Sequence, residues 1–219
     1  MRGSITVIGI LFLSFFFFAS QAQNQNDKRD AGLWTTASFA PRPIAGKWKT
    51  LYTLEYRSKG NFGETDLFSG MVKCHYKMNR YLLIGVGYEF FLNRGNNGRY
   101  TPEHRYYPEG ILSYRIKRFS ASFRSRLTNT FTQWRHPFFE HRNRVKVSYS
   151  PIRKVPVNPF VYAEPFHEMT KYRFRKIRYA AGCAYTFNRH QWDIYYMRED
   201  YHTRPFTRHV IGIDYTYSL

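Results

Sequence analysis

From about Ala31 to the C-terminus, side chains alternate between apolar or aromatic and charged along one segment after another. Successive side chains of a β-strand point to opposite faces, so each such strand has one greasy face and one charged face and needs two different surroundings. In residues 46–58, Trp48, Thr50, Tyr52, Leu54 and Tyr56 share one face, while Lys47, Lys49, Glu55 and Arg57 share the other. In a soluble sandwich the apolar face is the interior. Here the expected arrangement is the reverse, with the apolar face toward lipid and the charged face toward a lumen. The N-terminus decides between the two.

Arg2 precedes an apolar run from Ile5 to Ala19, followed by Ser20-Gln21-Ala22 with small residues three and one before a cut. These are the parts of a secretory signal peptide, expected to be cleaved after Ala22. The run is short for a helix that must span about 30 Å of hydrocarbon, and no Cys follows the cut to carry a lipid anchor. The expected organisation is a signal peptide at 1–22, a polar lead-in at 23–30 and one barrel over 31–219, with no linker inside it. A mean hydropathy of -0.56 does not oppose this, because charged lumen residues cancel lipid-facing ones in any average over a barrel.

The same parity runs through the chain. Expected outward sets include Phe68, Val72, Cys74 and Tyr76; Ile84, Val86, Tyr88 and Phe90; Leu112, Tyr114 and Ile116; and Val145, Val147 and Tyr149. Val157 to Phe166 is expected to be an irregular strand, since Pro159 and Pro165 each delete a ladder donor. Connections alternate in length, short at Asn79-Arg80, Lys117-Arg118 and Asn188 to His190, and longer at Lys59 to Gly63, Arg94 to Pro102, Gln133 to Pro137 and Asp200 to Pro205. Short periplasmic turns with longer external loops characterise outer-membrane barrels. Ten strands fit between Gly46 and Leu219. Leu33 to Ala40 would be an eleventh, which does not close an antiparallel barrel with both ends in the periplasm. The expected fold class is therefore an all-β, transmembrane, antiparallel up-and-down β-barrel of 10–12 strands in the bacterial outer membrane.

On this parity basic residues outnumber acids in the lumen, and the chain as a whole has a net charge of +19. A cation-rich, low-dielectric tube attracts anions. Arg124, Arg126, Arg142 and Arg144 form two inward Arg-x-Arg pairs on neighbouring strands, joined by Arg105 and Arg115 as a basic patch for anion contact. Glu89, Glu109, Glu140 and Glu164 are the acids placed to neutralise it. Cys74 and Cys183 lie on the apolar parity in segments far apart, so two lipid-facing thiols are preferred to a disulfide.

The segments Gly32-Leu33-Trp34, Glu55-Tyr56-Arg57, Gly85-Val86-Gly87-Tyr88, Glu103-His104-Arg105, Arg124-Ser125-Arg126, Arg142-Asn143-Arg144 and Tyr162-Ala163-Glu164 occur in an order that resembles an uncharacterised outer-membrane β-barrel family, DUF2490, of Bacteroidetes type. The resemblance implies the barrel fold and the outer membrane, and no settled activity. Two departures stand out. Thr128-Asn129 replaces an acid that often follows the family's Arg-x-Arg, which removes one internal salt bridge. The chain ends in Leu219 where outer-membrane strands usually end in Phe, a weaker signal to the barrel-assembly machinery.

Three functions fit such a barrel. One is a structural barrel plugged by its own ion pairs, since small barrels fill their interiors with side chains. Another is an anion-selective channel for small acidic solutes, similar in size and charge to the oligogalacturonate-specific porins. The third is a lipid-modifying hydrolase, for which His167-Glu168 and the Asp200-Tyr201-His202-Thr203 loop are the candidate groups. The absence of Cys/His metal spacing, a phosphate-cradling glycine loop and a nucleophile elbow leads us to expect no metal, cofactor or enzymatic activity. Basic residues spread over alternating strand positions do not make a nucleic-acid patch. Arg94, Arg99, Arg135 and Lys171 in the longer loops are read as contacts to the phosphates of lipopolysaccharide in the outer-membrane lipid.

Overall fold

A computed structural model describes residues 28–219 apart from 96, 133–134 and 152–155. The expected signal peptide and the first part of the lead-in lie outside the described residues. Eleven strands follow one another: β1 (Lys28–Ala40), β2 (Trp48–Lys59), β3 (Glu64–Lys77), β4 (Leu82–Arg94), β5 (Tyr100–Ile116), β6 (Phe119–Thr132), β7 (Arg135–Tyr149), β8 (Val157–Glu168), β9 (Arg173–Phe187), β10 (His190–Tyr201) and β11 (Phe206–Ser218). Each pairs antiparallel with the next, and the sheet closes on itself.

The closing contact corrects two expectations. The segment from Leu33 to Ala40 is part of the wall, so the barrel has eleven strands. β1 pairs parallel with β11, with Trp34 opposite Gly212 and Ala37 opposite Tyr215. An odd strand count leaves first and last strands running the same way, and a parallel ladder is the only way they can join. The two ends of the described chain therefore sit at opposite mouths. We call them the N-terminal end, where β1 begins, and the C-terminal end, where Leu219 N–H donates to Ala40 O at 3.0 Å. β1 also begins at Lys28, inside the segment expected to be a polar lead-in.

The burial pattern is inverted relative to a soluble protein. Leu54 is 70% exposed and Val86 61%, whereas Glu140, Glu164 and Glu199 are at most 1% exposed. The apolar parity thus faces outward and the charged parity inward, as expected from the sequence, on β2 to β11. Aromatic contacts gather at both ends of the outer face. Trp48–Tyr76, Phe119–Tyr149 and Trp192–Tyr215 lie 4.5–4.9 Å apart toward the C-terminal end, and Tyr56–Phe68 and His104–Phe131 toward the other. Such paired girdles match the two interfaces of a bilayer.

β8 runs through to Glu168 with Pro159 opposite Cys183 on β9, and it is irregular as expected, with a register shift between Phe166 and His167. Proline also opens the ladders. Pairing of β7 with β8 skips from Arg142↔Phe166 to Val145↔Ala163 at Pro165, and β5 with β6 skips from Tyr106↔Asn129 to Glu109↔Arg126 at Pro108. A proline nitrogen has no proton to donate, so the ladder opens on that side only. Inside, Gly87 leaves room for the Tyr107 ring, which would collide with any Cβ there. Tyr107 Oη then donates to the Met71 sulfur at 3.1 Å. Two connections at the C-terminal end, residues 41–47 and 150–156, are longer than any at the other, so loop length does not separate the ends as expected. Cys74 and Cys183 are both free.

Candidate functional site

Alternation places Arg124 and Arg126 on the lumen face of β6, and Arg142 and Arg144 on that of β7. The register then sets Arg124 opposite Arg144 and Arg126 opposite Arg142. Like charges directly across a ladder repel, and the surrounding strands supply carboxylates. Glu164 on β8 takes Arg124 at 2.6 Å and Arg144 at 2.7 Å, with Arg178 of β9 at 3.9 Å. Glu109 on β5 accepts from Arg126 at 2.6 Å and contacts His75 of β3 at 2.7 Å. Glu140 lies 2.7 Å from Arg142, two residues along its own strand, and 3.0 Å from Arg175. Glu89 takes Arg105 at 2.9 Å.

The structure thus brings together Arg124, Arg126, Arg142, Arg144 and Arg105 with Glu89, Glu109, Glu140 and Glu164. Arg115 stands apart: it is exposed near the C-terminal mouth, opposite Ser120, and makes no ion pair among the described residues. In place of the acid absent at Thr128-Asn129, Thr128 Oγ1 donates to Glu140 O at 3.0 Å, and Asn129 bonds the Tyr106 hydroxyl.

Aromatic rings back the guanidiniums. Arg126 lies 4.0 Å from the centre of the Tyr107 ring and Arg144 4.4 Å from that of Tyr162. Arg57 of β2 and Arg178 of β9 both lie on Trp34 of β1, at 4.0 and 4.8 Å. Since β2 and β9 are four strands apart around the wall, this stack reaches across the lumen and forms its waist. Two cavities meet there. One of about 270 Å³ opens toward the C-terminal end and one of about 540 Å³ toward the other, and they share Trp34, Arg57, Arg105, Arg142 and Arg178 in their walls.

Three participants escape the sequence reading. Trp34 sits on the strand left undecided, where its parity with Thr36 and Ser38 was the available signal. Arg175 and Lys176 precede Ile177, where the ninth strand was expected to start. A bulge between Phe166 and His167 lets β9 begin at Arg173, and Lys176 joins Glu199 at 2.8 Å. Arg178 also joins Glu199.

The hydrolase candidates are engaged otherwise. Glu168 is held by Arg173 at 2.7 Å, and Asp200 by Arg198 at 2.8 Å. His202 packs edge-on against Phe174, 4.4 Å between centroids. Among the described residues no group of three or more His, Cys, Asp or Glu is placed to hold a metal ion.

A family model described as Protein of unknown function (DUF2490) matches residues 31–209. Among solved structures, a NanC porin in a rhombohedral crystal form is similar in fold, with a TM-score of 0.51 and 13% identity, over 78% of this chain and 87% of that one. At that identity the likeness concerns the fold alone. No curated protein matches the chain.

Proposed function

The chain belongs to the DUF2490 family of unknown function, and from that premise we propose that it is a bacterial outer-membrane β-barrel whose lumen is stoppered at the waist by its own side chains. An apolar outer face between two aromatic girdles supports the membrane reading. The observation that carries the stopper is the Arg57–Trp34–Arg178 stack, contributed by strands on nearly opposite walls. Ion pairs on either side of it, rather than an aqueous path, neutralise most of the lumen charges. We assign the barrel no catalytic role. Its signal peptide exports it through the inner membrane, its last strand is read by the barrel-assembly machinery, and Arg94, Arg99 and Lys171 at the N-terminal mouth contact lipopolysaccharide phosphates.

Planar-bilayer recording tests the stopper. The expected result is insertion without steady conductance, with Trp34→Ala producing a current that the parent lacks. Steady porin-like conductance in the parent would overturn it. A second reading is favoured by the arginine-rich wall shared by the two cavities: an anion-selective channel for small acidic solutes. Under a salt gradient its reversal potential would then report anion preference, reduced by Arg142→Gln. The membrane location is tested by fractionation and by gel migration with and without heating, since a closed barrel has no free edge and resists detergent until boiled. Recovery as a soluble protein would end it.

A further inference from the structure

The smaller cavity has a local imbalance that the ion-pair network does not correct. Of its charged lining residues, Arg57 is paired with Glu55, Arg105 with Glu89, Arg126 with Glu109 and Arg142 with Glu140. Lys146 faces Asp193 at 3.6 Å, and Asp214, opposite Asp193, accepts from Thr36 at 2.8 Å. What remains is Lys73, Arg124 and Arg144: Glu164 is shared by the two arginines with Arg178, and Glu109, the carboxylate that faces Lys73, is already taken by Arg126 and His75.

Lys73 makes no ion pair or hydrogen bond among the described residues although it lines this cavity. The register explains why. Its neighbours across the ladders are Leu51 on β2 and Gly87 on β4, and neither offers an acceptor side chain. The Nε atoms of Arg124 and Arg144 are likewise buried without an acceptor. Buried donors left unmatched are costly, and a buried cation without a counter-charge more so.

We propose that this cavity is a binding chamber for one small oxyanion, a phosphate or a short carboxylate, held by Lys73, Arg124 and Arg144. About 270 Å³ admits such an ion, and Tyr162 and Phe160 form part of the chamber wall. The chamber needs no continuous path through the waist, so the proposal stands apart from whether the barrel conducts.

The test is calorimetric titration of the refolded barrel in detergent with inorganic phosphate, at constant ionic strength in a chloride background. Folding of each sample is checked by heat-modifiable migration. The parent is expected to bind one phosphate saturably. Lys73→Gln should weaken binding by about tenfold or more, the scale of one charged hydrogen bond, whereas Lys117→Gln in the exposed turn at the mouth should leave it unchanged. Lys73→Arg keeps the cation and should retain binding, which preserves the test if the Gln variant does not fold. A folded parent without saturable binding would overturn the proposal. So would a Lys73→Gln variant that binds like the parent, or an equal loss on Lys117→Gln.

Discussion

At the scale of single residues, the same substitution has opposite consequences on the two faces of one strand. Ile84 and Val147 face outward, 43% and 38% exposed in the absence of lipid, while Ser122 and Ser148 share the parity of the lumen arginines. A lysine on the lipid face is expected to cost about 2 to 4 kcal/mol at the bilayer midplane and less toward the girdle beside which Ile84 and Val147 lie, and one at Ser122 or Ser148 on the lumen face less still. Folding yields into lipid vesicles measure the difference, and equal penalties would show the faces to be misassigned. Within the lumen, carboxylates differ by their surroundings. Glu164→Gln leaves Arg124 and Arg144 without their counter-charge in a buried site, and is expected to cost about 3 to 5 kcal/mol. Glu64 meets Arg94 at 3.7 Å with its side chain 57% exposed, so Glu64→Gln should cost less than about 1 kcal/mol. Denaturant unfolding of both variants ranks them, and a reversed order would mean that Glu164 is not the centre of the network.

At the scale of elements, the β1–β11 seam is the feature on which closure depends. Parallel pairing puts Ala37 beside Tyr215, both on the outward parity. Cysteines at these two positions, with Cys74 and Cys183 replaced by Ala, should be bridged by a short bismaleimide in the folded barrel. A pair shifted by one residue, Ala37 with Thr216, should not, because alternate residues face opposite sides. Equal bridging of both pairs would mean that the seam has no fixed register. The seam also shows what was legible in the sequence. Ten strands and their faces could be read directly, because a lipid-facing side cannot tolerate the charges that mark the lumen side. The eleventh could not be placed, since Leu33 to Ala40 carries no charge to mark its inner face, and Thr36 and Ser38 are neutral. Inward residues were legible but their partners were not: Arg126 with Glu109 depends on the β5–β6 register, and Arg175 enters the lumen through a bulge that no periodicity announces. The waist needed Trp34, Arg57 and Arg178 to converge from three strands, which only closure of the barrel reveals.

At the scale of the whole molecule, an odd number of strands fixes where the termini lie. Lys28 and Leu219 are at opposite mouths, unlike an even-stranded barrel in which both ends share one side. Although the connections 41–47 and 150–156 are long, the tight turns at Lys117-Arg118 and Asn188-Arg189 also lie at the C-terminal end, and because outer-membrane barrels keep such turns in the periplasm we take that end as the periplasmic side of the proposed barrel. On the proposed outer-membrane location, that orientation sets the start of β1, at Lys28, on the outer side. Two arguments meet here: pairing along the whole of β1 with β11 holds that strand in the wall, and Asp30 fastens its start by bonding Arg208 at 2.9 Å and accepting from Gly60 N–H at 2.7 Å. An epitope tag placed after Asn24 should therefore bind antibody on intact cells, whereas a tag placed after Leu219 should bind only once the outer membrane is permeabilised. Heat-modifiable migration of each tagged chain shows that the barrel has still formed. If both tags are shielded in intact cells while migration is normal, the number of spanning strands is even, β1 does not run parallel to β11, and the waist built on Trp34 loses its support.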